Sequence, residues 1–255
     1  MQYILFDMDG TLCDSARGII NAARYALERC EIAVGDVDLR QILGPPLRDS
    51  FGRMFGLDGE RLEKVVAAYR EHYFSIGMYE NDLYPGVADL VCDLHDDGRV
   101  LALATGKVGS LATDILRHFE LASYFAFVAG CELDGRRSHK CEVIEYALEN
   151  LGATGKKADT VMVGDRHLDI EGAARACVTS VGVLYGYGTR AEIEACRPDY
   201  IAESVEALRN IVLGGNFCAQ EKTLPGYNRY QSFAPCGQTG LDGGNFGILG
   251  DIKNR

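Results

Sequence analysis

Short, uniformly apolar runs alternate along this chain with longer segments in which apolar residues recur at helical spacing. The apolar runs cover residues 3–6, 100–104, 125–129, 160–164 and 179–184. The segments with helical spacing cover residues 16–29, 87–96, 109–119, 139–151, 170–176 and 206–213. Runs this short and this apolar are typical of buried parallel strands. Because strands and helices alternate, we expect an α/β fold built on a doubly wound parallel sheet.

A long segment without a convincing strand pattern separates the first two apolar runs. Its helical stretches cover residues 37–43, 50–55 and 60–74. Connections this long inside a compact domain are usually functional lids. We therefore expect residues 1–14 and 84–213 to form a catalytic core, and residues 15–83 to form an inserted α-helical cap.

The chain changes character after the last predicted helix. Residues 214–255 are rich in glycine, their aromatic residues are scattered, and they follow no period. Such a segment buries too little apolar surface to offset the entropy lost on ordering. We expect a poorly ordered tail without chemistry, with packing on the core through its aromatic residues as the alternative.

The composition of the 255 residues, 47% apolar and 25% charged, is typical of a globular protein. No apolar run approaches the roughly 18 residues that cross a bilayer, and no basic segment of a signal peptide precedes the first strand. We therefore expect a cytoplasmic protein, in which nine cysteines without a CxxC pair are reduced thiols. The net charge of −11 disfavours nucleic acids and anionic membranes as partners. The sequence leaves both a monomer and a homodimer open.

Two carboxylates follow the first strand directly. Asp7 and Asp9 are two positions apart, so their side chains point the same way in extended backbone. Carboxylates this close repel each other unless a cation or a shared proton relieves them. Mg²⁺ binds one or two carboxylates and leaves the rest of its shell to water and phosphate oxygens. Taken alone, the pair is equally consistent with ordinary turn residues.

Three further polar motifs follow in order, at strand ends or at the start of a helix. They are Thr105 with Gly106 and Lys107 after the second strand, Lys140 in the first turn of a helix, and Gly164-Asp165 with Asp169 after the fourth strand. In doubly wound sheets, ligands bind beyond the carboxyl ends of the strands. In isolation, a helix N-cap would be the simpler interpretation of Thr105, and a solvated surface lysine that of Lys140.

The complete series of DxDGT, threonine, lysine and GDxxxD resembles the haloacid dehalogenase superfamily of phosphohydrolases. The resemblance covers residues 1–213, and a cap between the first and second motifs is similar to the helical-cap subgroup. Residues 44–47, 84–86 and 132–135 are similar to phosphoglycolate phosphatase-like members, and some relatives of this kind are 5′-nucleotidases. The resemblance implies the superfamily's α/β core and a phosphatase activity that depends on Mg²⁺.

It also implies a role for each motif residue. Asp7 would attack phosphorus and form an aspartyl-phosphate, and Asp9 would protonate the leaving alkoxide and later deprotonate the attacking water. Thr105 would donate to the phosphoryl group, and Lys140 would place a positive charge beside that group and Asp7. Further substrate contacts are expected from Gly10, Thr11, Gly106 and, in an auxiliary role, Lys107.

Mg²⁺ would be bound by Asp7, by the backbone carbonyl of Asp9 and by Asp165. Asp169 would act through water or by orienting Lys140. In the cap, Arg48 is a candidate to reach the leaving group, with a surface arginine at a helix start as an equal alternative.

The sequence therefore predicts a Mg²⁺-dependent phosphomonoester hydrolase that acts on a small phosphorylated metabolite. Phosphoglycolate and nucleoside 5′-monophosphates are the first substrates to consider. Two alternatives stay open, namely a phosphomutase of the β-phosphoglucomutase type and a phosphate-binding module without catalysis.

Overall fold

The computed structural model describes residues 1–134 and 136–214, and its centre is a parallel sheet of six strands. The strands are β1 (Tyr3–Phe6), β4 (Val100–Val108), β5 (Phe125–Cys131), β6 (Thr160–Gly164), β7 (Thr179–Val183) and β8 (Tyr200–Ala202). Their order is β5-β4-β1-β6-β7-β8, and each neighbouring pair is parallel. A separate antiparallel ribbon pairs β2 (Cys13–Asp14) with β3 (Asp82–Leu83).

Helices cover both faces of this sheet. They are α1 (Ala16–Arg29), α2 (Leu47–Phe55), α3 (Gly59–Ser75), α4 (Val87–Asp96), α5 (Gly109–His118), α6 (Lys140–Asn150), α7 (His167–Ala176), α8 (Arg190–Ala195) and α9 (Val205–Leu213). Short 3₁₀ turns lie at Leu39–Ile42, Gly77–Tyr79, Ala122–Tyr124 and Thr154–Asp159.

The alternation of side chains along β1 explains why the sheet is covered twice. Ile4 and Phe6 point to one face, where they join a core that includes residues of α4, α5 and α9. Leu5 points to the other face, where it packs with residues of α6 and α7. A strand buried on both faces is apolar throughout, as this one is. The doubly wound parallel fold expected from the sequence is confirmed.

The segment between β2 and β3 is helical. α1 packs against α3, and α2 packs against α3 as well. The β2–β3 ribbon lies at the two ends of this segment and connects it to the core. We use "cap segment" for residues 15–83; the domain boundaries themselves stay a prediction.

Several elements differ in extent from the expected ones. β4 continues to Val108 through an irregularity after Ala104, so residues 105–107 belong to the strand instead of following it. α7 begins at His167, three residues before the expected start at residue 170. α8 was not expected, because six residues are too few to show a helical period; the hydroxyl of Thr189 caps it by accepting from a backbone N–H.

Within the described residues, no helix combines the length and the apolar character needed to cross a membrane. Among the described cysteines, Cys13, Cys30, Cys92, Cys131 and Cys177 are free thiols. Apart from Gly214, the predicted tail lies outside the described residues.

Candidate active site

Three neighbouring strands bring the predicted site residues to one edge of the sheet. β1 lies between β4 and β6, and Phe6 pairs with Leu103 on one side and with Val163 on the other. Asp7 follows directly, and its backbone N–H donates to the carbonyl of Val163 at 2.9 Å. Because the carboxyl ends of parallel strands share one edge, Asp7 lies beside the ends of both neighbouring strands.

The turn after β1 approaches the end of β6 so closely that it needs a glycine. Gly10 has a φ of +82°, and a Cβ atom on it would lie 2.2 Å from Oδ2 of Asp165. The hydroxyl of Thr11 donates to Oδ1 of the same carboxylate over 3.4 Å. Gly10 and Thr11, which we expected to bind substrate, therefore lie against Asp165.

The ammonium group of Lys140 lies between two carboxylates. Its Nζ is 3.1 Å from Oδ1 of Asp7 and 2.7 Å from Oδ1 of Asp169. It also donates to the backbone carbonyl of Ala104 at 3.0 Å. Burial alone would lower the pKa of Lys140, but Asp169 and Asp7 outweigh burial and raise that pKa above its ordinary value. The lysine is therefore a buried cation beside Asp7.

Asp165 is fully buried at the end of β6. Its Oδ2 accepts a hydrogen bond from the backbone N–H of Tyr187 at 2.7 Å. Burial, together with the nearby carboxylates of Asp169 and Asp7, raises the pKa of Asp165 well above its ordinary value. A cation beside this carboxyl group would stabilise its ionised form.

The acidic cluster has the chemistry of a Mg²⁺ site. Asp7, Asp165 and Asp169 each present one carboxylate oxygen, and these oxygens lie within 4.8 Å of one another. Clustered carboxylate oxygens suit a hard cation, and Lys140 offsets only part of their negative charge. Asp169 already uses Oδ1 for Lys140 and Oδ2 for the backbone N–H of Arg166. Asp7 and Asp165 are thus the side chains best placed to hold Mg²⁺.

Asp9 faces a second buried lysine. Nζ of Lys107 is 3.0 Å from Oδ2 of Asp9 and 2.5 Å from the hydroxyl of Tyr73 on α3. Burial alone would lower the pKa of Lys107, but Asp9 and Tyr73 outweigh it and raise that pKa well above its ordinary value. Oδ1 of Asp9 is buried and accepts no hydrogen bond from the described residues.

Thr105 and Gly106 lie in the last part of β4. Thr105 is buried, and its hydroxyl accepts a hydrogen bond from the backbone N–H of Lys107 at 3.2 Å. Gly106 is exposed. This edge of the sheet thus gathers Asp7, Asp9, Gly10, Thr11, Thr105, Gly106, Lys107, Lys140, Asp165 and Asp169.

The profile of a known protein family, described as haloacid dehalogenase-like hydrolase, matches residues 4–183. The chain belongs to this family. The matched span contains every motif residue from Asp7 to Asp169. The family expected from the order of the motifs is therefore confirmed.

Similar proteins include phosphatases and a mycobacterial protein kinase. A 5′-nucleotidase of Pseudomonas aeruginosa is 38% identical over 210 residues, which cover 82% of this chain and 94% of that protein. The tyrosine-protein kinase PtkA of Mycobacterium tuberculosis is 42% identical over 188 residues, which cover 73% of this chain and 63% of the kinase. The crystal structure of a protein described as a predicted phosphatase from Clostridium acetobutylicum superposes with a TM-score of 0.78 at 40% identity, over 83% of this chain and 98% of that one. The relatives bear out the expected enzyme class, a phosphatase.

In this haloacid dehalogenase-like hydrolase, the guanidinium of Arg48 binds a carboxylate of the cap segment. Its Nε and Nη2 donate to the two carboxylate oxygens of Glu63 at 2.7 and 2.8 Å. Both side chains are about half exposed. The contacts described for Arg48 are therefore with α3, and its proposed reach to the leaving group stays a prediction.

Arg166, to which the sequence analysis assigns no role, joins the core to the cap segment. Its Nε donates to Glu192 at 2.8 Å, and its guanidinium also donates to the backbone carbonyl of Leu43. Gly44 makes room for it, because a Cβ atom there would lie 2.2 Å from Nη1 of Arg166. The signal available in the sequence was a long cation between the two aspartates of the GDxxxD motif.

The glycine-rich loop after β7 also belongs to the site, although we assigned it no role from the sequence. Besides the hydrogen bond from Tyr187, two glycines of this loop lie against Asp165. A Cβ atom on Gly186 would be 2.4 Å from the Cβ of Asp165, and one on Gly188 would be 1.9 Å from its carbonyl oxygen. Two glycines at alternate positions after a strand can indicate such a close backbone approach.

Proposed function

We propose that this protein is a Mg²⁺-dependent phosphomonoester hydrolase that acts on a small phosphorylated metabolite through an aspartyl-phosphate on Asp7. One observation carries the proposal: Asp7 lies beside a buried ammonium, from Lys140, and within an acidic cluster that suits a divalent cation. The position at a shared edge of strands β1, β4 and β6 is where ligands bind in doubly wound sheets.

The first half of the reaction uses Asp7 as the nucleophile. One carboxylate oxygen forms a bond to phosphorus while the bond from phosphorus to the leaving oxygen breaks. Lys140 reduces the repulsion between the carboxylate and the phosphoryl group, since its ammonium is 3.1 Å from Asp7. Bound Mg²⁺ would neutralise further negative charge on Asp7 and on the phosphoryl oxygens. The hydroxyl of Thr105 is a candidate donor to one of those oxygens.

Asp9 is assigned the proton transfers. Its Oδ2 is occupied by Lys107, whereas Oδ1 is buried and has no hydrogen-bond partner among the described residues. Oδ1 is therefore the atom that would hold the proton and give it to the leaving alkoxide. In the second half, the same atom takes a proton from water as the water oxygen bonds to phosphorus and the bond to Asp7 breaks.

The substrate classes to test first are nucleoside 5′-monophosphates and phosphoglycolate. The 5′-nucleotidase relative aligns over 82% of this chain and 94% of its own length, so the alignment extends into this chain's cap segment. The cap segment would contact the part of the substrate beyond the phosphoryl group, and a shared scaffold does not specify that part.

The test is phosphate release from a panel of phosphomonoesters, with Mg²⁺ and with excess chelator. The panel holds AMP, UMP, phosphoglycolate, sugar phosphates and pyrophosphate. We expect release that requires Mg²⁺ and that falls more than about 1,000-fold in Asp7→Asn. Asp97→Asn is the matched control, because Asp97 lies in the turn before β4, at the opposite edge of the sheet, and binds Arg99.

Three outcomes would contradict the proposal. Unchanged turnover in Asp7→Asn would remove the nucleophile from the mechanism. Accumulation of an isomeric sugar phosphate in place of free phosphate would assign a phosphomutase. Phosphate transfer from ATP to a tyrosine peptide, with no phosphomonoester hydrolysed, would instead assign the activity for which the mycobacterial relative is named.

A further inference from the structure

One contact connects the carboxylate assigned to proton transfer with the cap segment. Nζ of Lys107, on β4, lies between Oδ2 of Asp9 at 3.0 Å and the hydroxyl of Tyr73 at 2.5 Å. Tyr73 is on α3, whereas Asp9 and Lys107 are in the core. A single ammonium group therefore contacts both parts of the protein beside the reacting atoms.

Lys107 and Tyr73 are held in place by burial, while the Asp9 side chain is 21% exposed. The side chain of Lys107 is 6% exposed, and Tyr73 is 3% exposed. The ring of Tyr73 stacks on Tyr69 with centroids 5.4 Å apart and planes 11° apart. Charged groups shielded from water in this way keep a fixed geometry, whereas exposed ion pairs often do not.

The backbone of Lys107 is fixed as well. Its N–H donates to the hydroxyl of Thr105 at 3.2 Å. Its carbonyl oxygen lies so close to Gly130 that a Cβ atom there would be 2.5 Å away. The lysine is thus anchored through its backbone on β4 while its ammonium holds Asp9.

We propose that Lys107 is a positioning residue that orients the acid–base carboxylate of Asp9. Through its contact with Lys107, Tyr73 makes this orientation depend on how α3 packs against the core. This inference rests on the proposed function. It differs from the expectation that Lys107 binds substrate directly. An ammonium has three donors, and two of those of Lys107 face Asp9 and Tyr73 in a side chain that is almost inaccessible.

The proposal predicts a dependence on the leaving group. An alkoxide leaving from AMP needs a proton from Asp9 as its bond to phosphorus breaks, whereas nitrophenolate leaving from p-nitrophenyl phosphate needs little help. Loss of a group that positions Asp9 should therefore slow the first half of the reaction much more with the alkyl ester than with the nitrophenyl ester. Loss of a group that binds the phosphoryl oxygens should slow both esters equally, because they share the phosphoryl group.

The experiment measures the first turnover by rapid quench, so that release of the alcohol or phenol is separated from hydrolysis of the aspartyl-phosphate. We expect Lys107→Met to slow release of the alcohol by about 100-fold and release of nitrophenol by less than about tenfold. Asp9→Asn should show the same selective loss. Lys157→Met is the matched control, since Lys157 also pairs with a carboxylate, Glu145, but outside the site.

Tyr73→Phe tests the contribution of the cap segment with a smaller structural change. Removal of one hydrogen bond to a charged group should slow the alkyl ester by about tenfold. If Tyr73 acts through Lys107, the double variant should be no slower than Lys107→Met alone. The selective effect of Tyr73→Phe alone keeps the test decisive if Lys107→Met folds poorly, which the thermal unfolding of Lys107→Met would report.

The outcomes separate this inference from the proposed function. Equal slowing of both esters in Lys107→Met, or additive effects of Lys107 and Tyr73, would overturn the positioning role while hydrolysis by the unaltered protein stands. No Mg²⁺-dependent phosphate release from the unaltered protein would overturn the proposed function itself. Selective slowing of the alkyl ester in both single variants would support the inference.

Discussion

Nζ of Lys140 lies 2.7 Å from Oδ1 of Asp169, and neither side chain is more than 8% exposed. Because the same ammonium also contacts Asp7, its removal would leave two buried carboxylates without their cation. Breaking a buried pair by removing one partner typically costs about 3–5 kcal/mol. We therefore expect Lys140→Met to lower the free energy of unfolding by about that amount, measured by urea denaturation in the presence of chelator.

Lys157→Met is again the matched control. Lys157 contacts Glu145 at 2.5 Å, but its side chain is 31% exposed. Solvent screening reduces the value of such a pair, so we expect a loss of about 1 kcal/mol or less. Equal losses in the two variants would mean that the buried position of Lys140 has no special effect on stability.

The raised pKa of Asp165 predicts how metal binding and stability change with pH. Burial and the carboxylates of Asp169 and Asp7 raise this pKa, so the folded chain holds the proton more tightly than the unfolded chain does. The metal-free protein should therefore lose stability as the pH rises from about 3.9, the ordinary aspartate value, through the raised folded pKa. Mg²⁺ binds the deprotonated carboxylate, so its stabilising effect should increase over the same window.

The measurement is the thermal midpoint with and without Mg²⁺ across a series of pH values. The increase in midpoint caused by Mg²⁺ should grow with pH in the unaltered protein and should be largely lost in Asp165→Asn. Asp97→Asn, at the opposite edge of the sheet, should respond to Mg²⁺ as the unaltered protein does. An undiminished response in Asp165→Asn would remove Asp165 from the metal site.

The central residues of this candidate site could be predicted from the sequence because they lie at the carboxyl ends of predicted strands. Asp7 and Asp165 come directly after short apolar runs that are typical of buried strands, and parallel strands place such residues at one edge. Lys140 was found through the order of the motifs, not through local pattern. Its long side chain reaches Asp7 from the start of a helix, and no spacing in the sequence reports that distance.

The contacts between the core and the cap segment were not predictable in the same way. Tyr73 lies in a regular helical pattern, in which an apolar face alone explains an aromatic residue. That its hydroxyl meets Lys107 depends on how α3 packs on the core, and residues 34 positions apart carry no local signal of it. Arg166 joins the cap segment for a similar reason, through a backbone carbonyl that has no sequence preference.

Glu192 should contribute to stability at neutral pH but not in acid. Partial burial disfavours its charge, but hydrogen bonds from Arg166 and His167 outweigh burial and lower its pKa from 4.5 to about 2. A depressed pKa adds stability above the unfolded value, and this stability is lost as the pH falls through the folded one. Glu192→Gln should therefore lower the free energy of unfolding at neutral pH by about 1 kcal/mol, after allowance for solvent screening.

Urea denaturation at several pH values checks this dependence. The difference between Glu192→Gln and the unaltered protein should shrink as the pH falls from 4.5 towards about 2. Glu194→Gln is the control, because Glu194 lies on the same helix in a pair with Arg190 that is about half exposed. A difference that stays constant over this range would show that the contribution of Glu192 is not electrostatic.

Gly44 should be intolerant of a side chain because of Arg166. Its φ is +99°, which disfavours any residue with a Cβ atom, and that atom would lie 2.2 Å from Nη1 of Arg166. We expect Gly44→Ala to lower the free energy of unfolding by about 1–3 kcal/mol and to weaken the contact between Arg166 and Leu43. Gly35→Ala is the comparison, since Gly35 also has a positive φ, +57°, but a Cβ atom there meets nothing within 4 Å.

A double-mutant cycle with Arg166→Met separates backbone strain from the clash. If the clash with the guanidinium matters, Gly44→Ala should destabilise the Arg166→Met background less than it destabilises the unaltered protein. Strain alone would give the same loss in both backgrounds, because the backbone angle of Gly44 is then the whole cause. Arg166 follows Asp165 directly, and its guanidinium donates to the backbone carbonyl of Leu43. A coupled result would therefore also mean that the packing of the cap segment around Gly44 depends on a residue adjacent to the acidic cluster.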